Sequence, residues 1–280
     1  MEVNVSFYED AQGFSAAAKE FLLSRKVLHN LILTIVDNRL ARHEAGRYWV
    51  AVRANEVVGV ALQSPLTYPA TVVPMQPDVT AALVDAIADA GFLLPGVNGE
   101  VATAASFAGR WTERYKSAAF PVQGLRLYEL EELKGIVPSE GELRKANIQD
   151  RNLAITWLQE FYIETRTPAS NAENLIDAAL EEESLWLWQD GGVVSMAISS
   201  TPVQEVVRVS AVYTPPANRK RGYAATCVHG VSKYLRSKGY HCMLYTDLGN
   251  PISNSIYRKI GYKAIAEAIH YRFDHFRSER

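Results

Sequence analysis

Apolar and polar residues alternate over residues 3–8, the pattern of a strand with one buried face. The next two segments, near 11–24 and 27–43, instead carry apolar residues at helical spacing, for example Leu28, Leu31 and Ile35. Further along, the pattern predicts strands at 48–52, 57–62 and 70–73, helices at about 78–90 and 102–116, and a strand at 121–130. The first half of the chain is therefore predicted to mix helices with strands.

The second half repeats this order of elements. We predict a strand near 142–146, helices near 149–165 and 171–183, strands at 185–188, 193–199 and 205–213, a helix ending near 237, a strand at 241–246, a short helix, and a strand from 262 onward. With a strand that we do not delimit between the last two helices of the first half, each half reads strand, two helices, three strands, helix, strand, helix, strand. The order repeats whereas the sequence itself does not, so two domains of one architecture and a coincidence of order both stay open.

The pattern favours two domains of the mixed α/β class. Their boundary is placed in the charged stretch 131–141, which contains glycine and proline, and this gives domains at 1–130 and 139–280. The length of 280 residues suits two domains of ordinary size. Hydrophobic residues make up 48% of the chain, enough for a packed core in each domain.

Charge and residue types exclude several classes of function. The formal net charge of -2 and the isoelectric point of about 6.3 give no overall attraction to nucleic acid or to an anionic membrane, so neither is expected as a partner. No apolar run reaches the roughly 18–20 residues of a membrane span, and the alternating, acidic first residues do not resemble a signal peptide. Two isolated cysteines, Cys227 and Cys242, fit a reducing cytoplasm. The histidines lack metal-ligand spacing, and no metal is expected.

Residues 212–224 carry the most informative pattern. A predicted strand enters this stretch and an amphipathic helix leaves it, and the start of a helix offers free N–H groups and a partial positive charge to a phosphate. Gly222 lets the backbone approach an anion closely, and the small Ala224 does not block that approach. Positive charge is added by Arg219, Lys220 and Arg221. The charges alone favour a solvated basic turn before an ordinary helix, because short basic runs are common.

A second segment, residues 250–262, follows the predicted strand at 241–246. With it, the C-terminal half from about 139 to 273 resembles the GCN5-related N-acetyltransferase (GNAT) superfamily. Arg219-x-x-Gly222-x-Ala224 matches the acyl-CoA pyrophosphate loop of that family, Q/R-x-x-G-x-G/A. The pattern Asn250…Tyr257…Gly261-Tyr262 matches its second cofactor-facing segment. Either motif alone is weak, but they occur in order, each on the expected element.

The resemblance implies direct transfer of an acetyl group from the cosubstrate acetyl-CoA to a primary amine, on a small molecule or on an exposed protein site. It implies that the strand ending at 212–214 separates from its neighbour at 241–246 and pairs with pantetheine, and that Tyr257 protonates the departing thiolate. The cofactor contacts that it implies are Val212, Tyr213, Thr214, Arg219, Lys220, Arg221, Gly222, Tyr223, Ala224, Asn250 and Asn254. From the residues alone, Tyr257 could instead be a core aromatic, and Asn250 could simply cap the short helix.

The general base is not evident in the sequence. Direct transfer requires a neutral amine, so a carboxylate or a chain of waters has to accept its proton. The resemblance implies a Glu or Asp on the fourth strand of the domain, and that strand offers Glu205 at its beginning. Glu205 is equally consistent with a surface charge at the end of a strand, and Asp247, after the fifth strand, is a second candidate.

The first half departs from the family pattern where a cofactor would bind. Its corresponding stretch, residues 72–80, has no arginine and no glycine, and Asp78 would repel a phosphate. We expect a degenerate, non-catalytic GNAT-like copy that shapes the acceptor pocket or the groove between the domains. Tandem copies also resemble the glycine N-acyltransferase-like branch, so a longer or aromatic acyl-CoA stays an alternative donor. A non-catalytic acyl-CoA-binding regulatory protein is another alternative, and neither the acceptor nor the oligomeric state can be read from the sequence.

Overall fold

The computed structural model describes residues 2–42, 44–165 and 171–274. Its strands are β1 (Asn4–Tyr8), β2 (Arg47–Arg53), β3 (Glu56–Gln63), β4 (Ala70–Val72), β5 (Gly96–Glu100), β6 (Ala119–Leu130), β7 (Glu142–Lys145), β8 (Leu185–Gln189), β9 (Val193–Ser199), β10 (Val206–Tyr213), β11 (His241–Asp247) and β12 (Tyr262–Phe273). Its α-helices are α1 (Ala11–Ser24), α2 (Asn30–Arg42), α3 (Pro77–Asp89), α4 (Val101–Tyr115), α5 (Arg151–Thr165), α6 (Ala172–Glu181), α7 (Tyr223–Ser237) and α8 (Pro251–Ile260). The predicted mixed α/β class is confirmed.

The chain divides into two compact units. One unit consists of residues 1–126 together with 266–280, and the other consists of residues 127–265. The sequence placed the last strand wholly in the second domain, whereas the structure assigns the part of β12 from residue 266 onward to the first unit. The predicted linker 131–141 lies inside the second unit.

The first unit is built on a sheet in the order β1-β2-β3-β4-β5-β12. The pairs β1–β2, β2–β3 and β3–β4 are antiparallel, and β4 is parallel to β5. Residues 268–272 of β12 pair antiparallel with 96–100 of β5. Buried side chains of α3 and α4, among them Leu83, Phe107 and Trp111, pack with Trp49 and Phe273 from the sheet. The amphipathic helices found by spacing thus bury their apolar faces on this sheet.

The second unit has helices on both faces of its sheet. Strands β7, β8, β9 and β10 form an antiparallel series, and β11 continues it in parallel with β10. On one face, α7 and α8 bury side chains such as Cys227, Val231 and Ile260. On the other face, α5 and α6 bury Trp157 and Ile176. The sheet of the second unit is therefore buried between two layers of helices.

None of the helices in the described ranges has the length and apolarity needed to cross a bilayer. Within those same ranges, no group of three or more histidine, cysteine or acidic side chains is arranged to hold a metal ion.

Candidate functional site

Strands β10 and β11 pair at one end and separate at the other. Along these two fully described strands, the pairing covers residues 206–208 and 241–243, although β10 continues to Tyr213 and β11 to Asp247. On its other edge, β10 stays paired with β9 but has an irregularity between Ser210 and Tyr213, where Ala211 has a φ of 48°. A bulge bends its strand and aims the following residues away from the regular ladder. Residues 212–214 are thus beyond the part of β10 that pairs with β11, as a separation of the two strands there requires.

The connection from β10 to α7 is a tight, positively charged loop. After Thr214 it forms a short 3-10 helix, Pro216–Asn218, and α7 then begins at Tyr223. Gly222 occupies the N-cap position with a φ of 82°, and Lys220 has a φ of 64°. A φ of this sign suits glycine and strains other residues, which explains glycine at the cap. No side chain caps α7, so its first N–H groups are available to an anion.

Arg219 is already engaged in an ion pair. Its guanidinium donates to both carboxylate oxygens of Glu164 on α5, at 2.7 and 2.8 Å, and its Nε donates to the Thr214 carbonyl at 2.8 Å. The sequence predicted a direct contact of Arg219 with the cofactor, and the structure shows its side chain bound to protein. Lys220 and Arg221 are exposed. These two positively charged residues directly precede Gly222 in the sequence.

The side chain of Tyr213 points to α5. Its hydroxyl donates to Glu160 Oε2 at 2.8 Å, and its ring lies 6.0 Å from that of Trp157. Burial raises the pKa of the Tyr213 hydroxyl, and the hydrogen bond to the Glu160 carboxylate raises it further. A cofactor contact of Tyr213 would therefore have to come from its backbone. The hydroxyl of Tyr223 is also used by protein, because it donates to Asp190 at 2.5 Å.

Tyr257 lies on the inner face of α8 with 7% of its surface exposed. Its ring packs between those of Tyr128 and Tyr262, at centroid distances of 6.2 and 6.1 Å. Burial raises the pKa of its hydroxyl to about 12. The hydroxyl therefore stays protonated at neutral pH, which is the state that a proton donor needs. No hydrogen bond from this hydroxyl occurs among the described residues.

The two asparagines of α8 have different roles. Asn250 Oδ1 accepts from the N–H of Ser253 at 3.0 Å, so Asn250 caps α8. This cap is one of the two roles predicted for Asn250; the other is a cofactor contact. Asn254 is 3% exposed and its amide is used by protein on both sides. Its Nδ2 donates to the carbonyls of Asp247 and Asn250, and its Oδ1 accepts from the Tyr128 hydroxyl at 2.9 Å. The structure thus gives Asn254 a structural task in place of an evident cofactor contact.

The two candidate bases lie at opposite ends of the strand pair. Glu205 precedes β10 and its carbonyl accepts from the His241 N–H, so it lies where β10 and β11 are paired. At the usual rise per residue, that end of β10 is roughly 25 Å from its other end. Asp247 ends β11 on the open side, and its Oδ1 accepts from the Gly249 N–H at 2.6 Å. The structure therefore brings Asp247, and not Glu205, to the side where Asn250 and α8 begin.

Several contributors were not found from the sequence. Glu164 and Tyr128 reach the site from elements distant in the chain, and nothing in their local pattern marks them. Ser139, in the predicted linker, contacts the start of α7 through its Oγ, which donates to the Arg221 carbonyl at 2.7 Å. In the first unit, Asp78 at the start of α3 pairs with Arg53, so the stretch matching the loop carries an acidic group there.

Comparison with known proteins agrees with this geometry. Residues 194–271 match the protein-family model described as FR47-like protein. A GNAT-family acetyltransferase structure from Colwellia psychrerythraea superposes with a TM-score of 0.61 at 10% identity, covering 97% of this chain and 100% of that one. A Drosophila protein superposes with a TM-score of 0.65 at 11% identity, covering 96% and 97%. No curated protein has a sequence significantly similar to this chain.

A third structure bears on the duplication. It is described as a tandem GNAT protein from the clavulanic acid biosynthesis pathway, and it superposes with a TM-score of 0.55 at 10% identity, covering 99% of this chain and 100% of that chain. These structures show that the chain has the fold of GNAT-family proteins, and the third shows that a tandem GNAT structure matches it over its whole length.

Proposed function

We propose that the second unit is an N-acetyltransferase that binds acetyl-CoA along the open end of β10 and transfers the acetyl group to a primary amine. One observation carries the proposal: β10 and β11 separate at the same end where the Gly222 loop opens α7 and α8 begins. An extended pantetheine needs unpaired strand edges, and a pyrophosphate needs free N–H groups at a helix start. This end of the sheet offers both.

The residues present fit an acyl-CoA. The uncapped start of α7 and the exposed Lys220 and Arg221 suit a pyrophosphate. The backbone of 212–214 suits the amides of pantetheine, because β10 has left its pairing with β11 there. Arg219 would contribute charge while it stays bound to Glu164. Nε bonds to Thr214 and Nη2 makes both bonds to the carboxylate, so the two N–H donors of Nη1 take no part in these contacts.

When bound, acetyl-CoA supplies a thioester that an amine can attack. Tyr257 would donate its proton to the sulfur that leaves, since a tyrosine hydroxyl is protonated at neutral pH. A carboxylate or water has to accept the proton of the attacking amine. Asp247 is the carboxylate that we propose for this role, because it lies at the open end of β11 whereas Glu205 does not. The first unit is proposed to be non-catalytic.

Calorimetric titration with acetyl-CoA tests the proposal, using the parent chain, Gly222→Glu and Gly239→Glu. Gly239 is a matched control because its φ of 86° is close to the 82° of Gly222, while it lies beyond the other end of α7. We expect micromolar binding by the parent and by Gly239→Glu, and loss of binding in Gly222→Glu. Equal binding by all three proteins would contradict the assignment of this loop.

Further titrations separate the alternatives. If the parent binds benzoyl-CoA or a long-chain acyl-CoA but not acetyl-CoA, the donor is the longer or aromatic acyl group. Tyr257→Phe then separates a catalyst from a regulatory binding protein. A catalyst should lose at least about tenfold in kcat and keep its affinity for the cofactor. A parent that binds acyl-CoA but acetylates no amine in a broad screen would indicate the regulatory alternative.

A further inference from the structure

Ser139 holds the backbone of the Gly222 loop from the side. Its Oγ donates to the Arg221 carbonyl at 2.7 Å, and its N–H donates to Thr226 Oγ1 at 3.0 Å. The Thr226 hydroxyl in turn lies 3.2 Å from the Gly222 carbonyl. A Cβ on Gly222 would stand 2.8 Å from Ser139 Oγ, closer than carbon and oxygen normally approach. Ser139 therefore hydrogen-bonds to Arg221, just before the N-cap residue, and to Thr226, in the first turn of α7.

This contact orients one particular N–H group. In a trans peptide the C=O of one residue and the N–H of the next point in opposite directions. Because the Arg221 carbonyl is held toward Ser139, the Gly222 N–H points away from Ser139. Glycine has little intrinsic preference that would fix this peptide, since it tolerates φ of either sign. The hydrogen bond from the Ser139 hydroxyl therefore fixes the orientation of the Arg221–Gly222 peptide, which the glycine itself does not fix.

The segment around Ser139 is itself fixed within the second unit. The N–H of Lys134 donates to the Ile260 carbonyl at 2.8 Å, and the Trp188 indole donates to the Glu140 carbonyl at 2.9 Å. A Cβ on Gly261 would lie 1.9 Å from the Glu132 carbonyl, so the chain passes directly against the end of α8. A flexible linker could not hold a hydroxyl in a fixed position, but this anchored segment can.

We propose that Ser139 is a positioning residue for the cofactor pyrophosphate: it presents the Gly222 N–H to the phosphate oxygens. The proposal rests on the proposed acyl-CoA binding by this loop and adds a residue that lies outside both sequence motifs. It predicts that Ser139 affects only the part of the affinity that depends on the pyrophosphate. S-acetylpantetheine carries the same thioester and amides but lacks the pyrophosphate and the phosphoadenosine attached to it. It therefore separates the contribution of the pantetheine half of acetyl-CoA from that of the half that contains the pyrophosphate.

The experiment compares acetyl-CoA with S-acetylpantetheine in the parent chain, Ser139→Ala, Ser139→Thr and the control Ser237→Ala. Ser237 also donates its hydroxyl to a backbone carbonyl, that of Tyr234 at 2.7 Å, but at the far end of α7. We expect Ser139→Ala to weaken acetyl-CoA binding about 3- to 10-fold, the effect of one hydrogen bond. S-acetylpantetheine binding should change less than about twofold, and threonine should restore the affinity for acetyl-CoA.

Two outcomes would overturn the assignment: parent-like acetyl-CoA affinity in Ser139→Ala, or an equal loss for both ligands. If Ser139→Ala does not fold, Thr226→Val replaces it, since it removes the acceptor of the Ser139 N–H and should give the same selective loss. Failure of the proposed function looks different. In that case the folded parent chain itself binds no acyl-CoA, and the ratio between ligands cannot arise.

Discussion

Replacing Tyr128 with phenylalanine removes one hydroxyl from a buried polar cluster under α8. Tyr128 is fully buried, and its hydroxyl donates to Asn254 Oδ1 at 2.9 Å. Asn254 is 3% exposed, and its Nδ2 holds the carbonyls of Asp247 and Asn250. The phenylalanine ring would fill the same space, so the substitution leaves the packing intact. It deprives the Asn254 oxygen of the hydrogen-bond donor that this tyrosine provides.

The expected cost follows from that unpaired oxygen. A buried acceptor left without a partner costs about 1–3 kcal/mol, more than the net value of an ordinary hydrogen bond. Tyr262→Phe is a matched control, since the Tyr262 ring also packs on Tyr257 and its hydroxyl lies 2.8 Å from Ser232 Oγ. A serine hydroxyl on a helix can turn to a carbonyl of the preceding turn. Its loss of a partner should therefore cost less than about 1 kcal/mol.

Urea unfolding followed by circular dichroism measures both variants against the parent chain. If the free energy of unfolding falls with urea concentration at the same slope in all three proteins, each exposes the same surface area on unfolding. Differences between the midpoints then report differences in the free energy of unfolding. Tyr128→Phe should lower the free energy of unfolding by about 1–3 kcal/mol and Tyr262→Phe by clearly less. A loss below about 0.5 kcal/mol in Tyr128→Phe, or equal losses in both variants, would refute the claim that Asn254 depends on this hydroxyl.

Arg219→Ala should weaken acetyl-CoA binding about tenfold by calorimetry, against about threefold for Lys220→Ala. Removal of Arg219 also leaves the Glu164 carboxylate without its positively charged partner beside the proposed phosphate site. Adding Glu164→Gln to Arg219→Ala should recover part of this loss, and no recovery would contradict the explanation. Burial lowers the pKa of His29, so the unfolded chain takes up a proton near pH 6.5 that the folded chain resists. Stability should therefore fall as the pH drops below about 6.5, and a His29→Gln variant should show a flatter profile by thermal unfolding.

The parts of the fold that were predicted well are those encoded locally. The loop around Gly222 could be found because it matches a motif of particular residues at fixed spacing between a strand and a helix. Strand β5 was not delimited, because Gly96 and Gly99 argue against a strand in any local reading. In the structure, a Cβ on Gly96 would lie 2.1 Å from the Tyr271 carbonyl, and one on Gly99 would lie 2.5 Å from Val72. Glycine is required at these two positions because neighbouring strands leave no room for a Cβ, and the spacing of residues in the sequence does not show this.

In the candidate site too, the local motifs could be found from the sequence, whereas contacts between distant parts of the chain could not. Asn254 and Arg219 were predicted as cofactor contacts, and their side-chain partners in the structure, Tyr128 and Glu164, are 126 and 55 residues away in the chain. Such pairings are set by how the elements pack, so the sequence could not show that both side chains are already bound to protein. The distinction between Glu205 and Asp247 likewise required knowing which end of the β10–β11 pair is open.

The return of β12 to the first unit has a consequence for dividing this chain. Residues 268–272 pair with β5, so a fragment ending at residue 130 would lose that neighbour. Its β5 would then be a free sheet edge, and exposed edges recruit strands from other molecules. Limited proteolysis at 131–141 would not by itself produce two self-sufficient halves. Separate expression of the first unit calls for removal of residues 127–265 and a linker that joins residue 126 to 266–273, and not for a simple truncation.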